Sequence, residues 1–144
     1  MKREIKFRGK VKQHDPMRNP ENGWAEGYYF QNLTQGEMRS FIFQPPCTWE
    51  VIPETVGQFT GLLDKNGKEI YEGDVIQFRF TQFSSFSSKL FLSEQFIGII
   101  TVDKWNNHII KSNGLEIHIS NACEYGVVIG NIHDNPELLK AETL

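Results

Sequence analysis

Cysteine is scarce. Cys47 and Cys123 are the only two in the chain, too few for a disulfide framework, and they read as reduced thiols. Long apolar runs are missing too: none approaches the roughly 20 residues that cross a bilayer as a helix, so no membrane association is expected. Met1-Lys2-Arg3-Glu4 leads into charged sequence and not into an apolar stretch. No signal peptide is therefore expected, and a cytoplasmic location is. No segment keeps a helical period over ten residues, and repeats and low-complexity tracts are absent, which leaves a mainly β chain.

Reactive chemistry is equally sparse. Gly61 and Gly67-Lys68 suggest a phosphate loop, but five residues separate the glycines where four are needed. Glu69 also stands where Ser or Thr must hold magnesium. Asp64-Lys65-Asn66-Gly67 begins like a calcium loop with its glycine two positions early. His14, His108, His118 and His133 share no ligand spacing with each other or with cysteine. Cys47 has no visible activating partner. Glu69, Glu72 and Asp74 sit at turns and read as solvated charges. No catalytic residue, metal ligand or cofactor is assigned, and the expectation is a protein that is not an enzyme.

What the chain does have is alternation punctuated by turns. The 144 residues suit one domain, with two lobes at 1–60 and 61–144. Arg3–Val11 alternates, with Ile5, Phe7 and Val11 on one face and Lys6, Arg8, Lys10 and Lys12 on the other. Gln13–Gly23 reads as a loop. Strands are predicted over Trp24–Leu33, Glu37–Gln44 and Trp49–Ile52, with a turn around Gln35-Gly36. Asn66-Gly67 carries the signal of a type I′ hairpin turn, with both residues at positive φ. Glu72-Gly73-Asp74 forms a second tight turn into a strand toward Phe80. Ser84–Ser88 reads as a loop tip. Gln95–Trp105, His108–Lys111, Leu115–Ser120 and Tyr125–Ile132 complete the strands. Asn135 and Pro136 open a short C-terminal helix, with Leu138 and Leu139 packing inward. Short strands with turns every 8–12 residues suggest a small SH3-like barrel in the C-terminal half, with additional N-terminal strands.

Four blocks, in order, resemble the YopX family of phages and prophages of Gram-positive bacteria. They are Ile5–Lys10, Gly23–Tyr28, the run Thr55–Ile76 and the closing block Val128–Leu139. The resemblance implies a small, mostly β phage protein and supplies no catalytic residue. Phe83–Phe96 is the least family-like part.

Two features stand as binding candidates. Lys6, Arg8, Lys10 and Lys12 make one basic strand face that matches an extended phosphate backbone. Residues 1–12 sum to +5 and the remainder to −8, so the basic edge also suits another subunit's acidic body. The second feature is the phenylalanine series, of which Phe83, Phe86, Phe91 and Phe96 are the interface candidates. The expected function is an oligomeric interaction module. The partner is a second copy or a host or phage protein, and a nucleic-acid accessory role through the basic strand is the alternative.

Overall fold

Alternating sequence becomes antiparallel strand almost wherever the turn residues permit it. The computed structural model describes residues 4–12, 20, 22–83, 90–112, 115–119 and 126–140, with the backbone alone over 79–83, 90–96, 115 and 139–140. The chain divides into two compact units, Met1–Gly61 and Leu62–Leu144. Among the described residues no helix is long and apolar enough to cross a membrane.

The first unit holds β1 (Phe7–Lys10), β2 (Trp24–Thr34), β3 (Glu37–Gln44), β4 (Cys47–Val51), a 3₁₀ turn at Pro53–Thr55, and most of β5 (Gly57–Leu63). Its strands lie in the order β4-β3-β2-β1-β5. The sheet curls until β4 meets β1 at one end. Val11 bridges Val51. Lys12 N–H donates to Glu50 O at 2.9 Å and Ile52 N–H to Lys10 O at 2.8 Å. Two glycines permit the curl. A Cβ on Gly9 would sit 2.9 Å from the Val51 side chain, and one on Gly27 would sit 2.2 Å from the Phe43 carbonyl oxygen. Glycine inside a strand marks this kind of close approach. The concave side packs Ala25, Ile42 and Val51, with Phe7, Val11, Tyr29 and Trp49 around them.

The β2–β3 turn is the type I′ turn of this fold, with Gln35 at φ +52° and Gly36 at +81°. Register from Tyr28↔Phe43 to Thr34↔Glu37 is continuous. The Pro45–Pro46 bond between β3 and β4 is cis.

In the second unit, β6 (Glu69–Tyr71) follows a turn from β5. The five-stranded sheet is made of β7 (Asp74–Phe83), β8 (Leu90–Val102), β9 (His108–Ser112), β10 (Leu115–His118) and β11 (Val127–Asn131). Its order is β10-β9-β8-β7-β11. Ile70, Ile76, Phe78, Ile100, Ile110, Ile119 and Val128 form the core, with Leu62 and Ile117 against it.

Five expectations change. The SH3-like barrel gives way to an open sheet: β10 and β11 are edges, and no ladder joins them among the described residues. Strand and turn spacing is the same for barrels and open sheets; closure depends on which strands end up as neighbours.

The Asn66-Gly67 turn is not type I′. Gly67 is left-handed at φ +83°, but Asn66 is not. Gly67 N–H bonds Asp64 O at 3.0 Å and Asp64 N–H bonds Lys68 O at 2.8 Å. This is the three-residue hairpin loop in which a left-handed glycine completes a bulge.

The C-terminal helix reduces to one turn, α1 (Glu137–Lys140). Asn135 does not cap it with its side chain: Asn135 Oδ1 accepts from the Asn131 N–H instead, at 3.3 Å. Leu138 packs over Gly130.

The acidic group at the turns is not uniformly solvated. Asp74 is buried and accepts the Tyr71 N–H at 2.8 Å. Finally, the two faces of β1 are not divided as core and solvent: Arg8 is buried and Ile5 is exposed.

Candidate functional site

The run Thr55–Ile76 is held by backbone bonds. Asp64 is its centre. Its Oδ1 accepts the N–H groups of Asn66 and Lys68 at 2.9 and 2.8 Å, and Oδ2 accepts that of Val128 at 2.9 Å. Burial alone would raise the Asp64 carboxyl. The amides of Val128, Lys68 and Asn66, with the Lys68 charge, outweigh it and hold the group below its ordinary value. Asp103 repeats the arrangement at the β8–β9 turn. It accepts from Trp105 and Asn107 N–H at 2.9 Å each, and Asn106 is left-handed at φ +65° where the first turn has Gly67. Both carboxylates are committed to their turns.

The four predicted cations do not form a free stripe. Lys6 lies 5.1 Å from the Phe59 ring centroid and 3.9 Å from Glu4. The Arg8 guanidinium lies over the Trp24 ring at 4.9 Å, under the surface. Lys10 is half-buried, and its backbone N–H donates to Thr55 Oγ1 at 2.9 Å. Lys12 pairs with Glu50 at 3.1 Å, and Arg39 joins the same carboxylate at 3.6 Å. β1 is an interior strand, flanked by β2 and β5, and alternation sorts its side chains by face without deciding which face meets water. Of the interface candidates, Phe86 and the side chains of Phe83, Phe91 and Phe96 lie outside the described residues.

An exposed apolar surface lies elsewhere, on the β2–β3 hairpin. Cross-strand pairs Tyr28↔Phe43 and Phe30↔Phe41 share the convex face. The Phe30 and Phe41 rings stack at 5.3 Å with 17° between planes. Tyr28 is 63% exposed, Phe30 41% and Phe43 37%. On the other face, beyond the core, Leu33 is paired with Met38, and they are 64% and 61% exposed. Pairing explains why both faces are open here. β1 reaches β2 only over Trp24–Gly27, and β4 reaches β3 only over Ser40–Gln44. Asn32–Thr34 and Glu37–Arg39 therefore form a two-stranded arm with no third strand among the described residues. The sequence held a signal for it. Tyr28-Tyr29-Phe30 and Phe41-Ile42-Phe43 are unbroken apolar triplets on paired strands. A sheet with one core face must show the outer members of such triplets to its surroundings.

His108 and Glu72 make the second polar contact of note. His108 Nε2 lies 2.8 Å from Glu72 Oε2, with the imidazole buried and the carboxylate partly exposed. Ser112, on the same strand, turns its hydroxyl to the Ile97 carbonyl oxygen at 3.0 Å. The pair joins β9 to the β6–β7 turn. Among the described residues no three His, Cys, Asp or Glu side chains are grouped to hold a metal.

Comparison with known proteins adds a family. The model of the YopX protein family matches residues 6–140. A search of curated proteins gave no match. Among solved structures, protein EF1440 from Enterococcus faecalis is similar at 21% identity and a TM-score of 0.45, over 94% of this chain and 98% of that one.

Proposed function

The chain belongs to the YopX family, its match running from residue 6 to residue 140, and on that footing we propose that it is a non-enzymatic interaction module. In this reading it is a phage or prophage accessory protein that works in the host cytoplasm through a protruding surface. The observation that carries the reading is the β2–β3 hairpin. It presents Tyr28 and Phe30 on one face, and on the other, at the two-stranded arm, Leu33 and Met38, all substantially exposed. Large apolar side chains left exposed close together on one hairpin are costly in water and mark protein-contact surfaces. Supporting it, the carboxylates of Asp64 and Asp103 are engaged in their turns and Glu72 contacts His108. The nucleic-acid alternative loses its footing, since Arg8 is buried over Trp24 and Lys12 shares Glu50 with Arg39.

The test compares two tagged baits in host cells, the wild type and Leu33→Ser/Met38→Ser. An interaction module loses its captured partners, other copies of itself included, in the variant. Equal capture by both baits refutes the reading. Both side chains are exposed, so the substitutions are expected to change stability by no more than about 0.5 kcal/mol.

A further inference from the structure

We propose that Asn66 is a site of spontaneous modification by intramolecular deamidation, gated by the Asp64 turn, and that the reaction releases the turn from Val128. Asn66 lies outside the β2–β3 hairpin, so this site and the interaction-module reading can fail separately.

The reacting groups are neighbours in sequence. Asn66 is exposed, and Gly67 after it has open space where a Cβ would go. No side chain on Gly67 shields its backbone nitrogen from the side-chain carbonyl carbon of Asn66. That nitrogen attacks Asn66 Cγ. The N–Cγ bond forms and the Cγ–Nδ2 bond breaks. Ammonia leaves, taking up the proton that the Gly67 amide gives up, and a cyclic succinimide remains. Water opens the ring at either carbonyl, giving aspartate or isoaspartate at position 66. Water is the only co-reactant.

The turn holds the nucleophile back. Gly67 N–H donates to Asp64 O at 3.0 Å. Asp64 Oδ1 fixes the amides on either side of it, those of Asn66 and Lys68, at 2.9 and 2.8 Å. The nitrogen attacks only after losing its proton, and an amide engaged in a hydrogen bond loses it only when that bond opens. The reaction in the folded chain therefore runs at the open-chain rate multiplied by the fraction of time the turn is open.

The sequence holds two other Asn-Gly pairs, Asn22-Gly23 and Asn113-Gly114. What sets Asn66 apart is the load its turn carries. Asp64 Oδ2 accepts the Val128 amide at 2.9 Å, and Lys65 N–H donates to the Gly126 carbonyl at 2.9 Å. Isoaspartate lengthens the main chain by a methylene just before Gly67, which moves the Gly67 and Lys68 amides away from Asp64. Aspartate instead sets a second carboxylate close to that of Asp64. Either product loosens the turn and its hold on Val128.

Ageing the whole chain at mildly alkaline pH, followed by peptide mapping with detection of isoaspartate, tests the proposal. Position 66 should react at least about tenfold more slowly in the folded chain than in urea-unfolded chain, a factor set by the opening equilibrium. Urea below the unfolding transition should raise the rate in step with hydrogen exchange at the Gly67 amide. In aged protein the Val128 amide should exchange faster than in fresh protein, and Asn66→Gln should abolish that change while Asn22 and Asn113 remain free to react. Equal rates at position 66 in folded and unfolded chains overturn the gate. No reaction there in the unfolded chain overturns the site. Unchanged Val128 exchange in chains modified at position 66, or the same loss of protection in aged Asn66→Gln, overturns the release.

Discussion

Asp64 and Val128 lie 64 positions apart in the chain and meet through a 2.9 Å bond from the Val128 amide to Asp64 Oδ2. Beside it, Lys65 N–H donates to the Gly126 carbonyl at 2.9 Å. Gly73 makes a similar pair of links: its N–H bonds Ile100 O at 2.8 Å, and its carbonyl accepts the Ile132 N–H at 2.9 Å. Asp64 and Gly73 thus fasten their turns to the block Val128–Leu139, one through its carboxylate and the other through its backbone carbonyl. Asp64, Gly67 and Gly73 serve to make and satisfy tight turns, which accounts for how little reactive chemistry the run holds.

Replacing the Asp64 carboxylate should be among the more damaging single changes in the second unit. In Asp64→Asn one of the two acceptor oxygens becomes a donor, facing an amide that is itself a donor. Bonds to a charged acceptor are worth roughly 1.5–3 kcal/mol each, so a loss of about 2–4 kcal/mol is expected. Urea denaturation measures it directly. A loss under about 0.5 kcal/mol, the range of an ordinary surface substitution, would mean that water replaces the three bonds without cost.

The same carboxylate sets an acid limit. Its folded-state value lies below its ordinary one, so between the two values the unfolded chain binds more protons than the folded chain. The stabilisation is complete above the unfolded value of about 3.9 and is lost as pH falls through the folded value. Stability measured from neutral pH downward should therefore decline below about pH 4. Asp64→Asn should flatten that decline. Asp103, held down chiefly by the Asn107 amide, shifts in the same direction but lies half-buried in a turn of exposed residues, where solvent screens it, and Asp103→Asn should change the acid profile less than Asp64→Asn does. Identical profiles for wild type and Asp64→Asn would count against the assignment.

Much of the fold was legible because alternation and turn residues are local signals. The hairpin of Trp24 to Gln44 and the strands around His108 and Leu115 follow from them. What was not legible was relational. The Asn66-Gly67 pair is the strongest turn signal in the chain, yet the type I′ geometry went to Gln35-Gly36. At Asp64 the side chain captures the Asn66 and Lys68 amides and fixes a five-residue turn that two-residue propensities do not describe. Arg8 alternates with Phe7 as a surface residue would, yet it is buried with its guanidinium over the Trp24 ring, a contact that alternation does not foretell. The arm escaped notice for a related reason. The apolar triplets at Tyr28 and Phe41 announce strands, but which ends lack a third strand depends on where β1 and β4 stop.

The two Asp turns give a matched comparison of left-handed positions. Gly67 has open space where a Cβ would go, so Gly67→Val should cost about 1–2 kcal/mol through backbone geometry alone. Gly67→Asn should cost less, because asparagine occupies the corresponding position, Asn106, at φ +65°. Asn106→Gly should lie within about 0.5 kcal/mol of wild type, relief of left-handed strain offsetting the added freedom of the unfolded chain. Thermal melts of the three variants rank them; equal losses for Val and Asn at position 67 would show that asparagine's tolerance of left-handed φ gives no advantage there.

The basic strand can be tested by separating stability from binding. Arg8 is buried with its guanidinium 4.9 Å from the Trp24 ring. Arg8→Ala removes both the stack and the packing of its stem, and should cost about 1–3 kcal/mol. Lys12, paired with Glu50 but 55% exposed, should cost no more than about 0.5 kcal/mol when changed to Ala. A phosphate-binding stripe requires the reverse pattern: similar, small stability effects and a shared effect on affinity. Four phosphate contacts to a single strand would give a log–log salt slope near ~−2.8. With Arg8 buried and the Lys12 charge balanced by Glu50, oligonucleotide binding is expected to be weak, with a slope no steeper than about −1. A slope near the four-contact value that flattens in Lys6→Ser/Lys10→Ser/Lys12→Ser, in a protein that keeps its melting temperature, would restore the stripe. It would then place the anion site on β1 and not on the arm.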